Sequence, residues 1–461
     1  MSLSAKYQYS HFIYPFLVEK NKYSSFIGNL LNDEKNWKLK IHDHKEDEGT
    51  YNFFLPYMKK FLFPTLFWNN DFVKKYKAMS NSKKLNFVKK SSCATFEFNL
   101  DSIKTGTDSK KRYGVIDFDI RSIKIICFEP GICFLDIKTE VEDDNENIDF
   151  DNILDFNSMF RDVTPRSSGH NKFNIKAKGI DNLNDIIIFI KSTISGFEST
   201  DLDKIYYDKM FTYSYVCLCK EDWDEDTKFS SLKNDFYKFQ YVVDSKNSAI
   251  FNNDCDRLEE NTYSRWKYSM FGFSRESGVV LVSEKEMYNI TKMPHSFEKD
   301  YFYMLLLAFY QRMSLINFLQ DILRNDKTMM PKLNSDLTKF THFSWFSQIT
   351  NSEHGMDIWK RWQKAFELPE LYDEVHREYV EYYNTVVTSG QSKINIILII
   401  LYSASIVFAG LGIVVQLYDI KNTWMEPLLI YSIILTALSY PIYLVVRWLK
   451  HKLEKRLGGR M

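Results

Sequence analysis

Alternating, β-branched and aromatic runs dominate the middle of the chain's first three hundred residues. TFEF (Thr95 to Phe98), YGVIDFDI (Tyr113 to Ile120), RSIKIICF (Arg121 to Phe128) and ICFLDI (Ile132 to Ile137) predict a β-meander. Glu129-Pro130-Gly131 supplies the turn between its last two strands. FTYSYVCLC (Phe211 to Cys219), FYKFQYVVD (Phe236 to Asp244) and GVVLVS (Gly278 to Ser283) predict further strands, and LNDIIIFIKST (Leu183 to Thr193) an intervening helix. The mixture predicts an α/β or α+β domain over residues 1–295.

From Phe297 the period becomes helical. FEKDYFYMLLLAFYQRMSLINFLQDILRND is apolar around most of its circumference, which predicts a helix buried against neighbours. A second helical stretch is expected from Leu337 to Glu367, and Pro369 suits the first turn of a new helix. From Leu371 the pattern runs through Val375, Tyr379, Tyr382 and Val386, with Gly390 its one weak point. Residues 296–393 are thus expected to form a helical region ending in a stalk; continued to Leu417, that helix would reach about 75 Å at 1.5 Å per residue.

Two apolar runs follow, expected as a transmembrane hairpin over 394–448. Ile394 to Leu417 is about 24 residues without a charge, and Leu428 to Trp448 is about 21 with Arg447 only at its end; each is long enough to cross a bilayer core. The link Tyr418 to Pro427 forms the external loop and carries Asp419 and Glu426. The tail, 449–461, holds Lys450, Lys452, Lys455, Arg456 and Arg460 against Glu454, and the positive-inside bias makes it cytoplasmic. MSLSAKYQYSHFIYPFLVEK lacks the signal-peptide pattern. The expected topology is a multi-pass protein of the inner (cytoplasmic) membrane with both termini in the cytoplasm.

Composition narrows the function. Of 461 residues, 60 are Lys or Arg and 60 Asp or Glu, so the net charge is zero; this argues against electrostatic coating of nucleic acid, and no direct nucleic-acid partner is expected. Six scattered cysteines form no secreted disulfide framework and suit a reducing compartment. Cys217 and Cys219 read as core. No phosphate-binding glycine loop, zinc-protease or nucleophile-elbow motif is found, so the chain does not read as an enzyme and no cofactor is expected. His42 and His44 read as a polar surface loop rather than a metal site, and the acidic run Glu140 to Asp151 as a solvated loop, with divalent-cation sensing the lesser alternative. RWKYSMFGFSR sets Arg265, Trp266, Tyr268 and Arg275 in the mixture that stacking on a base and pairing with phosphate require, against a bland reading as core with a basic edge. In the first apolar run one heptad stripe reads Asn395, Leu398, Tyr402, Ser405, Ala409, Gly412 and Gln416. Close helix packing explains its small residues; pore lining explains the polar ones as well. A pore from one hairpin requires a symmetric oligomer.

A large cytoplasmic domain, long stalk, two C-terminal spans and basic tail together resemble the CorA family of divalent-cation transporters. The family's Gly-Met-Asn signature is absent, the region reading Gly410-Leu411-Gly412-Ile413-Val414-Val415-Gln416, and Trp424-Met425-Glu426-Pro427 stands in the following loop. YFYMLLLAFYQR (Tyr301 to Arg312), LPELYDEVHREYVEYY (Leu368 to Tyr383) and YSHFIYPF (Tyr9 to Phe16) are similar to divergent CorA-like proteins found beside type III CRISPR systems. The resemblance implies a pentameric ion channel in the lipid bilayer, an antiviral effector gated by a nucleotide second messenger. The alternatives are a housekeeping divalent-cation transporter, with the cation as transported or regulatory ion, and a non-conducting membrane-anchored sensor or scaffold.

Overall fold

The computed structural model describes residues 3–45, 48–100, 116–129, 131–142, 147–163, 175–177, 180–183, 208–223, 232–247, 261–324, 330–417 and 431. The chain divides into two compact units, one of residues 1–314 with 346–370, the other of 315–345 with 371–461.

The first unit is built on a mixed sheet. Its strands are β1 (Ser4–Leu17), β2 (Trp37–Leu39), β3 (Cys93–Phe98), β4 (Asp117–Phe128), β5 (Ile132–Glu142), β6 (Ile148–Asp149), β9 (Phe211–Leu218), β10 (Thr262–Tyr263), β11 (Ser269–Phe273) and β12 (Ser277–Ser283). The order is β10-β11-β12-β9-β1-β5-β4-β3-β2, with β6 beside β1. Among the described residues only β12 and β9 run parallel; the other pairs of this sheet are antiparallel. β7 (Ile175–Ala177) and β8 (Ile180–Leu183) form a separate ribbon.

β1 is the central strand, buried at every position from Gln8 to Phe16. Such burial on both faces explains why it reads as a continuous aromatic run rather than an alternating one. Pro15 lies two residues past the last β1–β9 pair, Ile13 with Phe211, where a missing N–H costs that ladder nothing. On one face Phe12 and Phe16 join Phe26 and Ile27 of α1 (Tyr23–Asn32) and Phe156 and Phe160 of α6 (Phe150–Phe160). The same layer continues through Phe236 and Phe239 of α7 (Lys233–Tyr241), packed on Val216, Val279 and Leu281. The small helices α2 (Glu48–Phe53), α3 (Pro56–Leu62), α4 (Asn70–Lys77) and α5 (Asn81–Val88) lie in the chain between β2 and β3.

The opposite face is covered by a helical run that starts with α8 (Tyr288–Thr291) and α9 (Met293–Ser296), widens into a π turn at Phe297–Tyr301, and continues as α10 (Phe302–Leu323). Phe297 stacks on Tyr213 at 3.9 Å, Phe302 lies 4.9 Å from His11, and Phe309 contacts both Phe134 and Phe211. Among the described residues Met293–Leu323 is the one helix long and apolar enough to cross a membrane; 78% of its most apolar stretch is buried in the protein. From Phe297 to Phe309 its apolar side chains are met by the sheet, as expected of a packed helix.

α12 (Glu353–Ala365) lies on the same face, with Trp362 against Phe211 and Phe273. Gly278 is required there, since a Cβ would sit 2.4 Å from the Trp362 ring. Gly131 is required for a different reason: its φ is +124° and a Cβ would stand 2.2 Å from the Val18 carbonyl oxygen.

In the second unit the end of α10, α11 (Met330–Phe343) and the long α13 (Leu368–Leu417) are held by aromatic contacts. Phe318 meets Phe340 at 5.5 Å, Trp345 stacks on Tyr372 at 4.6 Å, and the Tyr379 hydroxyl donates to Asn334 Oδ1 at 2.8 Å. α13 is one helix of 50 residues that passes Gly390 unbroken. Left-handed Glu367, at φ 51°, ends α12 immediately before it, and Pro369 falls in its first turn.

Several expectations change. Phe236 to Asp244 is not a strand but mostly α7: its buried Phe236, Phe239 and Gln240 follow helical spacing, and left-handed Val242 ends the helix. From Asp117 on, the two strands expected to meet at Arg121 are one strand, β4, with a bulge between Ile120 and Ser122, and 113–115 of the first lie outside the described residues. The helix expected from Leu337 to Glu367 is two, α11 and α12, separated at 344–352. Leu183 closes β8, and 184–193 of the expected helix lies outside the described residues. The acidic run is not wholly a loop, because β5 carries Glu140 and Glu142 into the sheet and Asp149 caps α6, accepting from Asp151 N at 3.0 Å. Residues 143–146 of that run lie outside the described residues.

Candidate functional site

A polar cluster of the first unit grows from its edge strand. β10 pairs with β11 through Thr262 with Gly272 and Tyr263 with Phe271. The turn that follows is closed by Ser264 Oγ, donating to the Trp266 and Ser269 carbonyls at 3.1 and 2.9 Å. This leaves Arg265 and Trp266 outside, with Trp266 44% exposed. α12 faces them. Its N-cap Ser352 accepts from Gly355 N at 3.2 Å, and helical spacing sets His354, Asp357 and Arg361 on one side.

His354 is the hub. Its Nδ1 lies 3.0 Å from the Tyr263 hydroxyl and its Nε2 lies 3.1 Å from that of Tyr301, the last residue of the π turn. Tyr263 donates to Asp357 Oδ2 at 3.2 Å. One neutral imidazole satisfies all of this when Tyr301 donates to Nε2 and Nδ1–H donates to Tyr263. Burial, and then the Arg265 charge, pull the His354 pKa from 6.5 down to about 4, so the ring is neutral at pH 7. Burial raises the Tyr263 and Tyr301 hydroxyls. The Arg361 guanidinium lies over the Tyr263 ring at 4.7 Å, and Trp266 meets His354 edge-on at 4.4 Å. Arg265 binds Glu353 at 3.0 Å and reaches Asp357 at 4.0 Å. An anionic ligand at Arg265 would therefore exchange with the exposed Glu353 carboxylate and gain the Trp266 face for stacking.

The four residues singled out from RWKYSMFGFSR separate into three places. Arg265 and Trp266 belong to this cluster. Tyr268 packs against the core that holds Met270 and Trp223, its ring 5.2 Å from Lys267 Nζ and 6.4 Å from Trp223. Arg275 stands in the β11–β12 turn, ion-paired with Glu367, at the other end of a five-residue strand. Tyr263, Tyr301, His354, Asp357 and Arg361 were not singled out in the sequence; the spacing of the last three on a helix was the available signal.

His42 and His44 lie in a loop exposed at residues 43–45, but the His42 side chain itself is buried, with Nδ1 3.1 Å from the Tyr51 hydroxyl and its ring 5.0 Å from Phe63. His44 lies 6.1 Å from the Tyr51 ring. Cys217 and Cys219 are buried and free, with the Cys217 thiol pushed up to about 12 by burial. A second histidine, His11 of β1, is fully buried and meets the equally buried Asp136 of β5 at 2.9 Å. Beside them Lys138 pairs with Glu298 of the π turn at 3.1 Å.

In the second unit the described apolar stretch of α13, Asn395–Val407, is short for a span. Ile396, Ile397, Ile399, Ile400, Leu401, Ile406 and Val407 are each 40–68% exposed. Of the heptad stripe, Asn395 and Tyr402 are exposed and Leu398 and Ala409 half-buried. Ser405 is buried, its Oγ donating back to the Leu401 carbonyl at 2.9 Å. Gly412 and Gln416 continue the helical backbone. Asp419, Glu426, the run Leu428 to Trp448 and the basic tail lie outside the described residues, Tyr431 excepted. No family model, curated protein or solved structure matches this chain.

Proposed function

We propose that the chain is a CorA-like, homo-oligomeric membrane channel whose α/β unit senses an anionic nucleotide. The observation that carries this reading is the exposed apolar surface from Ile396 to Val407 at the end of a continuous 50-residue helix. Water does not favour seven large aliphatic side chains so placed; hydrocarbon does. The charge-free continuation to Leu417 and the second apolar run supply the length of a hairpin. The polar stripe then turns toward an axis shared by several subunits, with both termini cytoplasmic. Arg265 and Trp266 are the ligand contacts, and binding that favours one arrangement of the sensory units biases the pore.

The test is ion flux from proteoliposomes, with and without added nucleotides. Gln416→Glu places a carboxylate ring in the pathway and should raise the cation-to-anion ratio, whereas Val415→Ile, off the stripe, should leave it unchanged. Indistinguishable behaviour of both variants and the parent, in a preparation that conducts, excludes this pore face. A preparation that never conducts favours the anchored sensor.

A further inference from the structure

Zero net charge conceals a local imbalance. Between Pro56 and Ser92 the chain carries nine lysines, Lys59, Lys60, Lys74, Lys75, Lys77, Lys83, Lys84, Lys89 and Lys90, against the single acid Asp71 and no arginine. Contacts link successive parts of this segment. Lys60 Nζ lies over the Phe67 ring at 5.9 Å, Trp68 packs on Phe72 at 5.1 Å, and Phe72 of α4 meets Phe87 of α5 at 5.2 Å. α4 buries Tyr76 and turns Lys74, Lys75 and Lys77 outward. Lys60, Lys83 and Lys90 are also exposed, while Lys84 pairs with Glu34 at 3.2 Å. Two large apolar rings stand among these charges in solvent, Phe67 at 50% and Phe87 at 41% exposure.

We propose that α4 and α5, with the turn at Phe67, form a docking surface for an anionic lipid headgroup layer. Lysines supply point charges to a diffuse negative surface, whereas bidentate phosphate recognition in nucleic acid selects arginine, which this segment lacks. Phe67 and Phe87 are suited to insertion at the level of the acyl boundary. The surface stands independently of the channel reading, which adds only that a bilayer is close by.

The experiment uses the full chain with Ser82→Cys, an exposed α5 position, carrying an environment-sensitive fluorophore. It is titrated with phosphatidylcholine vesicles containing or lacking phosphatidylglycerol. The probe should shift blue only with the anionic lipid, and about 0.5 M salt should abolish the shift by screening. At roughly fivefold per lysine near an anionic surface, K74Q/K75Q/K83Q should weaken the response about 100-fold. Phe67→Ala with Phe87→Ala should weaken it while preserving the salt dependence. A probe silent to phosphatidylglycerol, or a response the triple variant retains, overturns the proposal; so does tighter binding to a DNA or RNA duplex through the same lysines. Flotation with pure phosphatidylcholine vesicles reports separately on the apolar end of α13. A chain that fails to float there, yet shows the anionic shift, keeps the docking surface and loses the channel reading.

Discussion

Lowering the pH from 7 to 4.5 should destabilise the first unit through one side chain, His354. Its pKa falls from an ordinary 6.5 to about 4, first through burial and then through Arg265. The groups facing it are Tyr263, Arg265, Asp357 and Arg361 around β10 and α12, with Tyr301 from the π turn. Between pH 6.5 and 4 the unfolded chain binds a proton at this position that the folded one refuses. Stability is therefore full above pH 6.5, drains away as pH falls toward 4, and levels off below it. At ~1.4 kcal/mol per pH unit the difference corresponds to about 3 kcal/mol. Water reaching the cluster beside half-exposed Trp266 brings this to about 2 kcal/mol. The assay is urea unfolding followed by tryptophan fluorescence across that pH range, on the parent and on His354→Gln, which retains a donor and an acceptor but no titration. The parent should lose about 2 kcal/mol more than the variant. Arg265→Ala should narrow the gap by allowing the ring to protonate earlier. Parallel pH profiles of parent and His354→Gln would refute the reasoning.

Other expectations concern packing. Gly278→Ala drives a methyl into the rigid, buried Trp362 ring and should cost about 2 kcal/mol, a Tm drop of roughly 4 °C by calorimetry. Trp362→Phe in the same chain should recover part of that loss, because the smaller ring vacates the space. Gly131→Ala meets a carbonyl oxygen at a left-handed φ, so it should cost more than about 2 kcal/mol and have no side-chain rescue.

What the sequence made legible follows from how local each signal is. Phe211 to Leu218 and Gly278 to Ser283 are strands because their apolar runs are buried on every residue, a property visible in composition. Helix α13 was legible because no breaker interrupts it. Phe236 to Asp244 misled, since aromatic and β-branched content outweighed the three-four spacing of its buried residues. Arg121 looked like a strand boundary and is a bulge, where one charged residue faces solvent to pair with Glu140 at 2.7 Å. The His354 cluster was not legible: its partners Tyr301 and Tyr263 lie 53 and 91 residues away, and only the fold brings them together. The lysine surface was hidden differently, by averaging over a neutral chain.

Ile399 reports most directly on whether the far end of α13 lies in a bilayer. Its side chain is 64% exposed on the helix surface. With Ile399→Cys in the full chain reconstituted into vesicles, a membrane-impermeant maleimide should label the thiol at least tenfold more slowly than after detergent solubilisation, because hydrocarbon excludes the reagent and the thiolate it needs. Equal labelling rates in intact vesicles and in detergent would place this helix in water and contradict the account.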